Sequence, residues 1–351
     1  MMRQDHGLGF LLTYENVAWF DGGMVRILDR RAYPHKIKFV ECRTVDQVAR
    51  AIQDMVTQSA GPYTAAAMGM ALQAYLVRGQ GRDRQLEALG LAAEKLATAR
   101  TTTEPRMRRV TAAALTAARK ALDQGEHDLS RVLFDVAYQS LERRYERMSR
   151  VATQLVSLLP ERARVMTHCF GETIVGTMIR AAKLEGRELA LFTPETRPYL
   201  QGARLTASVA AEMGIPVTVI TDNMAAEVFS GRQVDLLTTA ADAITSDGYV
   251  VNKVGTLQLA IIAKYYGVPY FVTGIPDSMA IEDVVIEHRN PEQVLEAGGV
   301  PTTREGVKGY YPSFDVTPPH LISAVVTDTA ILTPYNLSDY RPPEGEGDYW
   351  G

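Results

Sequence analysis

The sequence predicts an α/β protein with an N-terminal, mostly helical domain that carries a small β-hairpin, and a C-terminal domain built on a parallel sheet. Between about residues 44 and 159, apolar residues recur at the spacing of amphipathic helices. After Pro160 the pattern changes to short β-branched runs that alternate with helical segments, which is typical of right-handed βαβ crossovers. We therefore place the domains at residues 1–159 and 160–337, followed by a flexible tail at 338–351.

The length and composition are those of a globular protein of about two domains. The chain has 351 residues, of which 46% are hydrophobic and 22% are charged. A net charge of −4 without a concentrated basic face argues against a nucleic-acid partner. The cysteines, Cys42 and Cys169, lie far apart and form no CxxC motif, which fits a reducing compartment. Because the sequence shows neither a signal-peptide pattern nor an apolar run of roughly 18 residues, we expect a cytoplasmic protein with no membrane partner.

The first elements are predicted to be a hairpin and then a series of helices. Residues 17–20 and 24–28 flank Asp21-Gly22-Gly23, which is a strong hairpin turn. A helix is predicted from about Thr44, because the following apolar residues have i, i+3, i+4, i+7 spacing. Further helical segments are predicted at residues 65–74, 86–99, 110–121 and 132–158. The last of these carries four arginines at helical spacing, which we interpret as a solvated helix face or a subunit contact rather than an anion site: Arg143, Arg144, Arg147 and Arg150.

The second half alternates between strands and helices. Strands are predicted at residues 165–167, 189–193, 217–221, 236–244, 249–251 and 270–273, with helices near residues 173–184, 205–213, 225–229 and 257–266. A long irregular stretch, residues 276–319, follows, and loops of this length are usually functional or wrap over the fold. Residues 321–327 predict a last strand.

Polar and reactive side chains follow the predicted strands. The first strand ends in Thr167-His168-Cys169, the second in Glu195-Thr196-Arg197-Pro198, and the third in Thr221-Asp222-Asn223, while the fourth reaches Asp242. In an open parallel sheet, ligands bind outside the carboxyl ends of the strands. We therefore expect these residues to share a site, although strand-end placement does not identify a reaction.

Cys169 and Asp242 are the residues best suited to acid–base chemistry. Cys169 precedes Phe170-Gly171-Glu172-Thr173, which opens a predicted helix, and the helix dipole would lower the pKa of the thiol. Asp242 lies among apolar residues, where desolvation would raise the pKa of its carboxyl towards that of a general base. The structural alternatives are a buried, inert cysteine and an ordinary turn aspartate.

Two helix entrances are suited to an anion of the size of phosphate. Gln201, Gly202 and Arg204 open one helix, and Asn252-Lys253 precede another, so that free backbone N–H groups and cationic side chains lie near each other. A basic residue at a helix start can equally be solvated. Neither a Walker A motif nor a spaced GxGxxG motif is present, and the six histidines lack zinc-site spacing.

A series of motifs resembles one superfamily. The motifs recur in a single order and comprise Thr167-His168-Cys169, Glu195-Thr196-Arg197-Pro198, Gln201-Gly202-Ala203-Arg204-Leu205-Thr206-Ala207, Thr221-Asp222-Asn223-Met224, Asn252-Lys253-Val254-Gly255-Thr256 and Phe314-Asp315-Val316-Thr317-Pro318-Pro319. Over about residues 17–334, the chain resembles methylthioribose-1-phosphate isomerases, ribose-1,5-bisphosphate isomerases and the regulatory subunits of translation initiation factor 2B.

The resemblance implies a Rossmann-like C-terminal domain, a homodimer and, in the isomerase branches, conversion of an aldose 1-phosphate to a ketose 1-phosphate without metal or organic cofactor. It implies catalytic roles for Cys169 and Asp242. It also implies that the substrate-binding residues include Arg100, Gln201, Asn252 and Lys253, with Arg197 and Arg204 as further candidates in the quoted motifs. From the resemblance we expect a sugar-phosphate substrate, with methylthioribose 1-phosphate as first choice.

The chain departs from the isomerase pattern at three places. The Arg-Gly-Ala-Pro segment of methylthioribose-1-phosphate isomerases is replaced by Thr57-Gln58-Ser59-Ala60-Gly61-Pro62, and only Arg100 remains of a second segment, now Arg100-Thr101-Thr102-Thr103-Glu104-Pro105. Phe170 replaces an asparagine. An intact cysteine–aspartate pair in a changed pocket predicts an isomerase with another 5-substituted substrate, such as ribose 1,5-bisphosphate. A non-catalytic factor-2B-like subunit and a sugar-phosphate sensor are the alternatives outside catalysis.

Overall fold

The computed structural model describes residues 3–100 and 103–343, which divide into two compact units, one ending at Arg147 and the other running from Met148 to Pro343. The boundary lies inside one long helix. Residues 344–351 of the predicted tail, and Thr101 and Thr102 of the departing segment, lie outside the described residues. None of the described helices combines the length and apolar character that crossing a membrane requires.

The N-terminal unit contains a small antiparallel sheet and a set of helices. A short helix α1 (Tyr14–Val17) precedes strands β1 (Trp19–Asp21), β2 (Met24–Leu28) and β3 (Phe39–Cys42), which pair in the order β1-β2-β3. The predicted hairpin is confirmed, because Asp21 pairs with Met24 across Gly22 and Gly23, which both have positive φ. The helices are α2 (Val45–Gln53), α3 (Gly61–Leu76), α4 (Arg82–Ala97), α5 (Glu104–Asp123) and α6 (Leu129–Ser157).

Local capping and apolar packing explain these helices. Thr44 caps α2 through a capping box, in which its side chain accepts from Gln47 N and the Gln47 side chain accepts from the Thr44 backbone. The alanine-rich α3 is buried over nearly its whole length, and Met68 and Leu72 are fully buried. A helix that is apolar all round belongs in a core, so α3 forms the centre of this unit.

The arginines of α6 correct one interpretation. Arg144 and Arg147 are buried, and Arg144 Nη2 donates to Thr64 Oγ1 at 3.0 Å. The interpretation as a solvated helix face is therefore wrong for these two residues, because both side chains are packed inside the protein.

The C-terminal unit is organised around a seven-stranded sheet. Its strands are β4 (Arg162–Met166), β5 (Glu188–Pro194), β6 (Val217–Ile220), β7 (Leu236–Ala240), β10 (Tyr270–Thr273), β14 (Ala324–Val326) and β15 (Ile331–Leu332). Their spatial order is β15-β14-β10-β7-β4-β5-β6, and every neighbouring pair is parallel except β14 and β15. Without the antiparallel edge strand β15, this is the doubly wound, Rossmann-like order 3-2-1-4-5-6. The predicted fold class is confirmed.

Helices connect the strands of this sheet. They are α7 (Glu172–Leu184), α8 (Ala207–Glu212), which continues from a π-helical turn at Gly202–Thr206, α9 (Ala225–Ser230) and α10 (Thr256–Tyr266). Apolar residues such as Leu237, Val272 and Val325 are fully buried in the sheet and form a core with the apolar faces of α9 and α10.

A second, three-stranded antiparallel sheet corrects the strand predictions. Strands β8 (Ala243–Ile244), β9 (Val250–Lys253) and β13 (Phe314–Thr317) pair in the order β13-β9-β8. The predictions of one strand at 236–244 and of a parallel strand at 249–251 are therefore wrong. The chain leaves the large sheet after Ala240, and Asp242 N donates to Val251 O instead. A short hairpin, β11 (Glu296–Ala297) and β12 (Val300–Pro301), lies in the irregular stretch.

Candidate active site

The two predicted catalytic residues follow adjacent parallel strands. Cys169 comes three residues after β4 and Asp242 two residues after β7, and these strands pair through Met166 and Leu237. Between β4 and β7 the strand order reverses direction, which is the topological switch point where doubly wound sheets bind ligands. The fold thus brings both residues to the edge at which a ligand site is expected.

Side chains from the neighbouring connection hold the Cys169 backbone. Its N–H donates to Thr196 Oγ1 at 3.2 Å, and its carbonyl accepts from Thr206 Oγ1. Cys169 has a φ of +59°, a conformation that non-glycine residues rarely adopt and that occurs preferentially at functional sites. Helix α7 begins only at Glu172, so that Cys169 lies in the turn ahead of the helix and its backbone is held by tertiary contacts.

Burial controls the ionisation of the thiol. Part of Cys169 is accessible to solvent, but burial of the thiol raises its pKa to about 11, and the negative charge of Asp242 acts in the same direction. Lys253 lowers the pKa most among the opposing groups, followed by the backbone N–H of Phe170 and by Arg289. The expectation of a lowered thiol pKa is therefore wrong, because desolvation outweighs the positive groups around the sulfur.

Asp222 orders the connection after β5. Its carboxylate accepts from the backbone N–H groups of Thr196, at 2.8 Å, and Arg197, at 2.7 Å. Thr196 is buried with a φ of +64°, and it is also the residue that bonds to Cys169. Asp222 thus positions the cysteine indirectly, through Thr196.

The predicted substrate residues of this unit fall into two groups. Gln201, Asn252 and Lys253 are buried polar residues, whereas Arg197 and Arg204 donate to backbone carbonyls. Arg197 Nη2 donates to Glu296 O and Arg204 Nη1 to Tyr199 O. Both arginines therefore hold surrounding segments in place, and a substrate contact for them stays a prediction.

Gln201 directly precedes a π-helical turn that packs closely against β5. A Cβ atom on Gly202 would lie 1.8 Å from Pro194 O, so only glycine allows the π-helical turn to approach β5 this closely. Gln201 is buried, and its Oε1 accepts no hydrogen bond from any described residue. A buried amide oxygen without a donor is suited to a ligand hydroxyl.

Asn252 and Lys253 lie at the end of β9. Asn252 Nδ2 donates to Thr256 Oγ1 at 3.0 Å. The buried Lys253 ammonium lies 4.9 Å from the Phe314 ring centre and 5.8 Å from that of Tyr311. Aromatic faces stabilise a cation, and the charge of Lys253 acts on the Cys169 thiol.

Asp315 and His168 support the entrance to α10. The Asp315 carboxylate accepts from Gly255 N at 2.7 Å and from Leu257 N at 3.1 Å, yet burial raises its pKa to about 6. His168 is buried, which lowers the pKa of its imidazole, and Nε2 lies 2.9 Å from Val254 O. Because a carbonyl only accepts, Nε2 carries the proton and His168 acts as a neutral support.

The N-terminal unit holds the remaining predicted residues. Arg100 lies between α4 and α5, at the edge of the undescribed residues 101–102. Within this unit, the segment that lacks the expected arginine receives one from elsewhere, because the fully buried Arg30 donates through Nη1 to Gln58 O at 2.6 Å. Among the described residues, no three His, Cys, Asp or Glu side chains are grouped so as to hold a metal ion.

Sequence reasoning missed Arg289, Tyr199 and Tyr311, and it assigned no role to Asp315. Arg289 lies in the irregular stretch, and its charge acts on the Cys169 thiol. Its guanidinium lies 5.8 Å from the ring centres of both Tyr199 and Phe314. The only available signal was the length of that stretch, which indicates function without pointing to a residue.

The strand order defines a Rossmann-like α/β protein. Its polar residues lie at the switch point, where such sheets bind small molecules. The chain belongs to the initiation factor 2 subunit family, whose family model matches residues 59–334.

Curated relatives and solved structures agree with this family. The chain is 32% identical over 332 residues to the methylthioribose-1-phosphate isomerase of Desulforamulus reducens, covering 91% of this chain and 96% of the relative. It is 34% identical over 343 residues to that of Nostoc punctiforme, covering 92% and 95%.

Two solved structures have the same fold with equal similarity. The 5-methylthioribose 1-phosphate isomerase of Pyrococcus horikoshii OT3 has a TM-score of 0.78 and 28% identity, covering 92% of this chain and 95% of that chain. The delta subunit of translation initiation factor eIF-2B from A. fulgidus also has a TM-score of 0.78, with 30% identity and coverage of 91% and 96%.

Proposed function

We propose that this protein is an aldose–ketose isomerase, an intramolecular oxidoreductase that converts a ribose 1-phosphate derivative to the corresponding ribulose 1-phosphate. The observation that carries the proposal is the arrangement at the switch point. There the Cys169 thiol is buried, and its pKa is raised by the charge of Asp242 and lowered by that of Lys253. A proton-transferring pair beside a buried cation is what the isomerisation of an anionic sugar requires.

The proposed chemistry moves one hydrogen from C2 to C1. The C2–H bond breaks and the C2 hydroxyl loses its proton to become a carbonyl, while C1 gains hydrogen, the ring C1–O bond breaks and the ring oxygen is protonated. The phosphate stays on C1 throughout, so the sugar is oxidised at C2 and reduced at C1 without an external redox partner.

The ionisation of the thiol suggests how the pair divides this work. A thiol with a pKa of about 11 is protonated at neutral pH, so Cys169 begins the cycle as a proton donor and Asp242 as the acceptor. A bound phosphate would offset the positive charge of Lys253 and favour the neutral thiol further. Gln201 and Asn252 supply amide groups for the sugar hydroxyls.

Methylthioribose 1-phosphate is the first candidate substrate. The named relatives are methylthioribose-1-phosphate isomerases, and they align over about nine tenths of this chain. The departures at residues 57–62, 101–105 and Phe170 favour testing other 5-substituents, including ribose 1,5-bisphosphate.

A non-catalytic role is the second candidate function. The chain is as similar in fold to an initiation factor subunit as to an isomerase, with a TM-score of 0.78 in both comparisons. An assembly subunit or a sugar-phosphate sensor would need the fold and, in the sensor, the binding residues, but not turnover. We also propose a homodimer, which light scattering would test.

A turnover assay on a panel of ribose 1-phosphates separates these functions. The panel comprises methylthioribose 1-phosphate, ribose 1,5-bisphosphate and ribose 1-phosphate, and the ketose is detected by NMR. Ketose formation supports the isomerase and ranks the 5-substituents, whereas binding without ketose supports the sensor. The hydrogen can move from C2 to C1 by proton transfer or by a direct hydride shift, and the same assay in D₂O distinguishes these two routes. Proton transfer through Asp242 introduces deuterium at C1, and a direct hydride shift does not.

A further inference from the structure

Arg289 carries two buried hydrogen-bond donors that the protein leaves unused. Its side chain is only 8% exposed. Nε donates to Glu287 Oε1 at 2.7 Å, whereas the buried Nη1 and Nη2 form no hydrogen bond of normal geometry with any described residue. The guanidinium interacts with the Tyr311 hydroxyl and opposes the rise of its pKa, but this buried hydroxyl also lacks a hydrogen bond of normal geometry. Buried donors of a charged group are costly to leave without an acceptor, so the terminal edge of this guanidinium is suited to a ligand.

The backbone around Arg289 is fixed to the strand that enters the site. Arg289 N donates to Tyr311 O at 3.0 Å, and Ser313 N donates to Glu287 O at 2.8 Å. These two bonds flank an antiparallel bridge between His288 and Pro312, directly before β13. Arg289 is therefore held opposite Tyr311, three residues before Phe314, the residue that pairs with Lys253.

Aromatic rings surround the guanidinium. Its carbon lies 5.8 Å from the centres of the Tyr199 and Phe314 rings. Tyr199 is itself held, because Gln293 Nε2 donates to its hydroxyl at 2.9 Å. Aromatic rings stabilise the charge of a guanidinium without using its terminal donors.

Arg289 and Lys253 place two buried positive charges around one ring. Both lie within 6 Å of the Phe314 ring centre. The Glu287 carboxylate is bound at Nε and is 21% exposed, so it does not occupy the terminal edge of the guanidinium. Two like charges around one ring repel each other, and a bound anion would offset this repulsion.

We propose that Arg289 is a substrate-binding residue whose Nη1 and Nη2 bind two oxygens of the substrate phosphate, opposite Lys253. This inference rests on the proposed function, since it assigns the phosphate of that substrate. The planar fork of arginine matches two phosphate oxygens, a geometry that a single ammonium does not provide. A purely structural ion pair would leave no reason for both terminal amino groups to be buried and unused.

The test compares Arg289→Gln and Arg289→Lys with Arg304→Gln, which removes an exposed arginine of the same irregular stretch. The binding of inorganic phosphate is measured by calorimetry, and KM and kcat are measured with the best sugar 1-phosphate. We expect wild-type behaviour from Arg304→Gln. For Arg289→Lys we expect KM and the phosphate Kd to rise about tenfold, and for Arg289→Gln about a hundredfold, with a smaller change in kcat.

The two readouts separate this inference from the proposed function. Phosphate binding that is lost in Arg289→Gln, in a protein without turnover, supports Arg289 as an anion ligand and rejects the isomerase. Normal turnover with an unchanged phosphate Kd and KM in the Arg289 variants overturns the inference alone. A wild-type protein that binds neither phosphate nor any sugar phosphate overturns both the inference and the proposed function. If Arg289→Gln does not fold, the phosphate Kd and KM of Arg289→Lys decide the inference, because lysine keeps the positive charge and loses only the paired donors of the guanidinium.

Discussion

The Lys253 ammonium lies 4.9 Å from the centre of the Phe314 ring, and the two residues are partners in the register of β9 and β13. The position of this cation is therefore set by a strand pairing rather than by a flexible loop. Lys253 is buried and also acts on the Cys169 thiol, and in the proposed function it attracts the phosphate of the substrate.

Removing the Lys253 charge should weaken substrate binding. For Lys253→Ala we expect KM to rise about 10- to 100-fold, because a charge-assisted hydrogen bond to a buried partner contributes roughly 1.5–3 kcal/mol. Steady-state kinetics measure this, with Lys264→Ala, an exposed lysine of α10, as the matched control. An unchanged KM in Lys253→Ala would show that the ammonium does not contact the phosphate.

The Cys169 thiol should react slowly at neutral pH. With a pKa of about 11, about one thiol in a thousand is ionised at pH 8, compared with roughly one in four for an ordinary thiol. The rate of alkylation by iodoacetamide should therefore still rise about tenfold per pH unit between pH 7 and 9.5. Cys169→Ser should abolish most labelling, because the remaining Cys42 is buried. A rate that levels off below pH 9 would contradict the raised pKa.

Asp315 should make the protein less stable as the pH rises. Its pKa is about 6 in the folded protein and about 4 in an unfolded chain, so the folded state binds the proton more tightly. The resulting stabilisation is complete below about pH 4 and is lost as the pH rises through about 6, a change of roughly 2–3 kcal/mol in the free energy of unfolding.

Urea unfolding of the wild type and Asp315→Asn measures this effect. The asparagine does not titrate, so the difference between the two unfolding free energies should favour the wild type more at pH 4.5 than at pH 7.5. A difference that stays constant over this range would show that Asp315 has an ordinary pKa.

Gly202→Ala should destabilise the protein strongly. The new methyl group would lie 1.8 Å from Pro194 O and 2.8 Å from Thr193 Oγ1, so the π-helical turn must move away from β5. We expect a loss of more than about 3 kcal/mol and a fall in melting temperature of roughly 5–10 °C. Gly90→Ala is the control, because nothing lies within 4 Å of its added atom and alanine favours the helix. Equal melting temperatures for the two variants would contradict the tight approach.

Local sequence signals predicted the elements whose formation is local. The turn Asp21-Gly22-Gly23 requires positive φ and so specifies the hairpin, and the alternation after Pro160 predicted the doubly wound sheet with Cys169 and Asp242 at its edge. The pairing of β9 with β13 joins segments about 60 residues apart and left no such signal. The thiol pKa was mispredicted because burial depends on the tertiary structure, and Arg289 was missed because it lies in a stretch without periodicity.

The central claim is that Cys169 and Asp242 carry out the proton transfers, and kcat in Cys169→Ser and Asp242→Asn tests it most directly. Both substitutions preserve size and polarity, so we expect the fold and the binding of the sugar phosphate to persist while kcat falls about 10²- to 10⁴-fold. Cys42→Ala and the exposed Asp247→Asn are the matched controls and should retain turnover. Near-normal kcat in either Cys169→Ser or Asp242→Asn would remove that residue from the reaction and contradict the account.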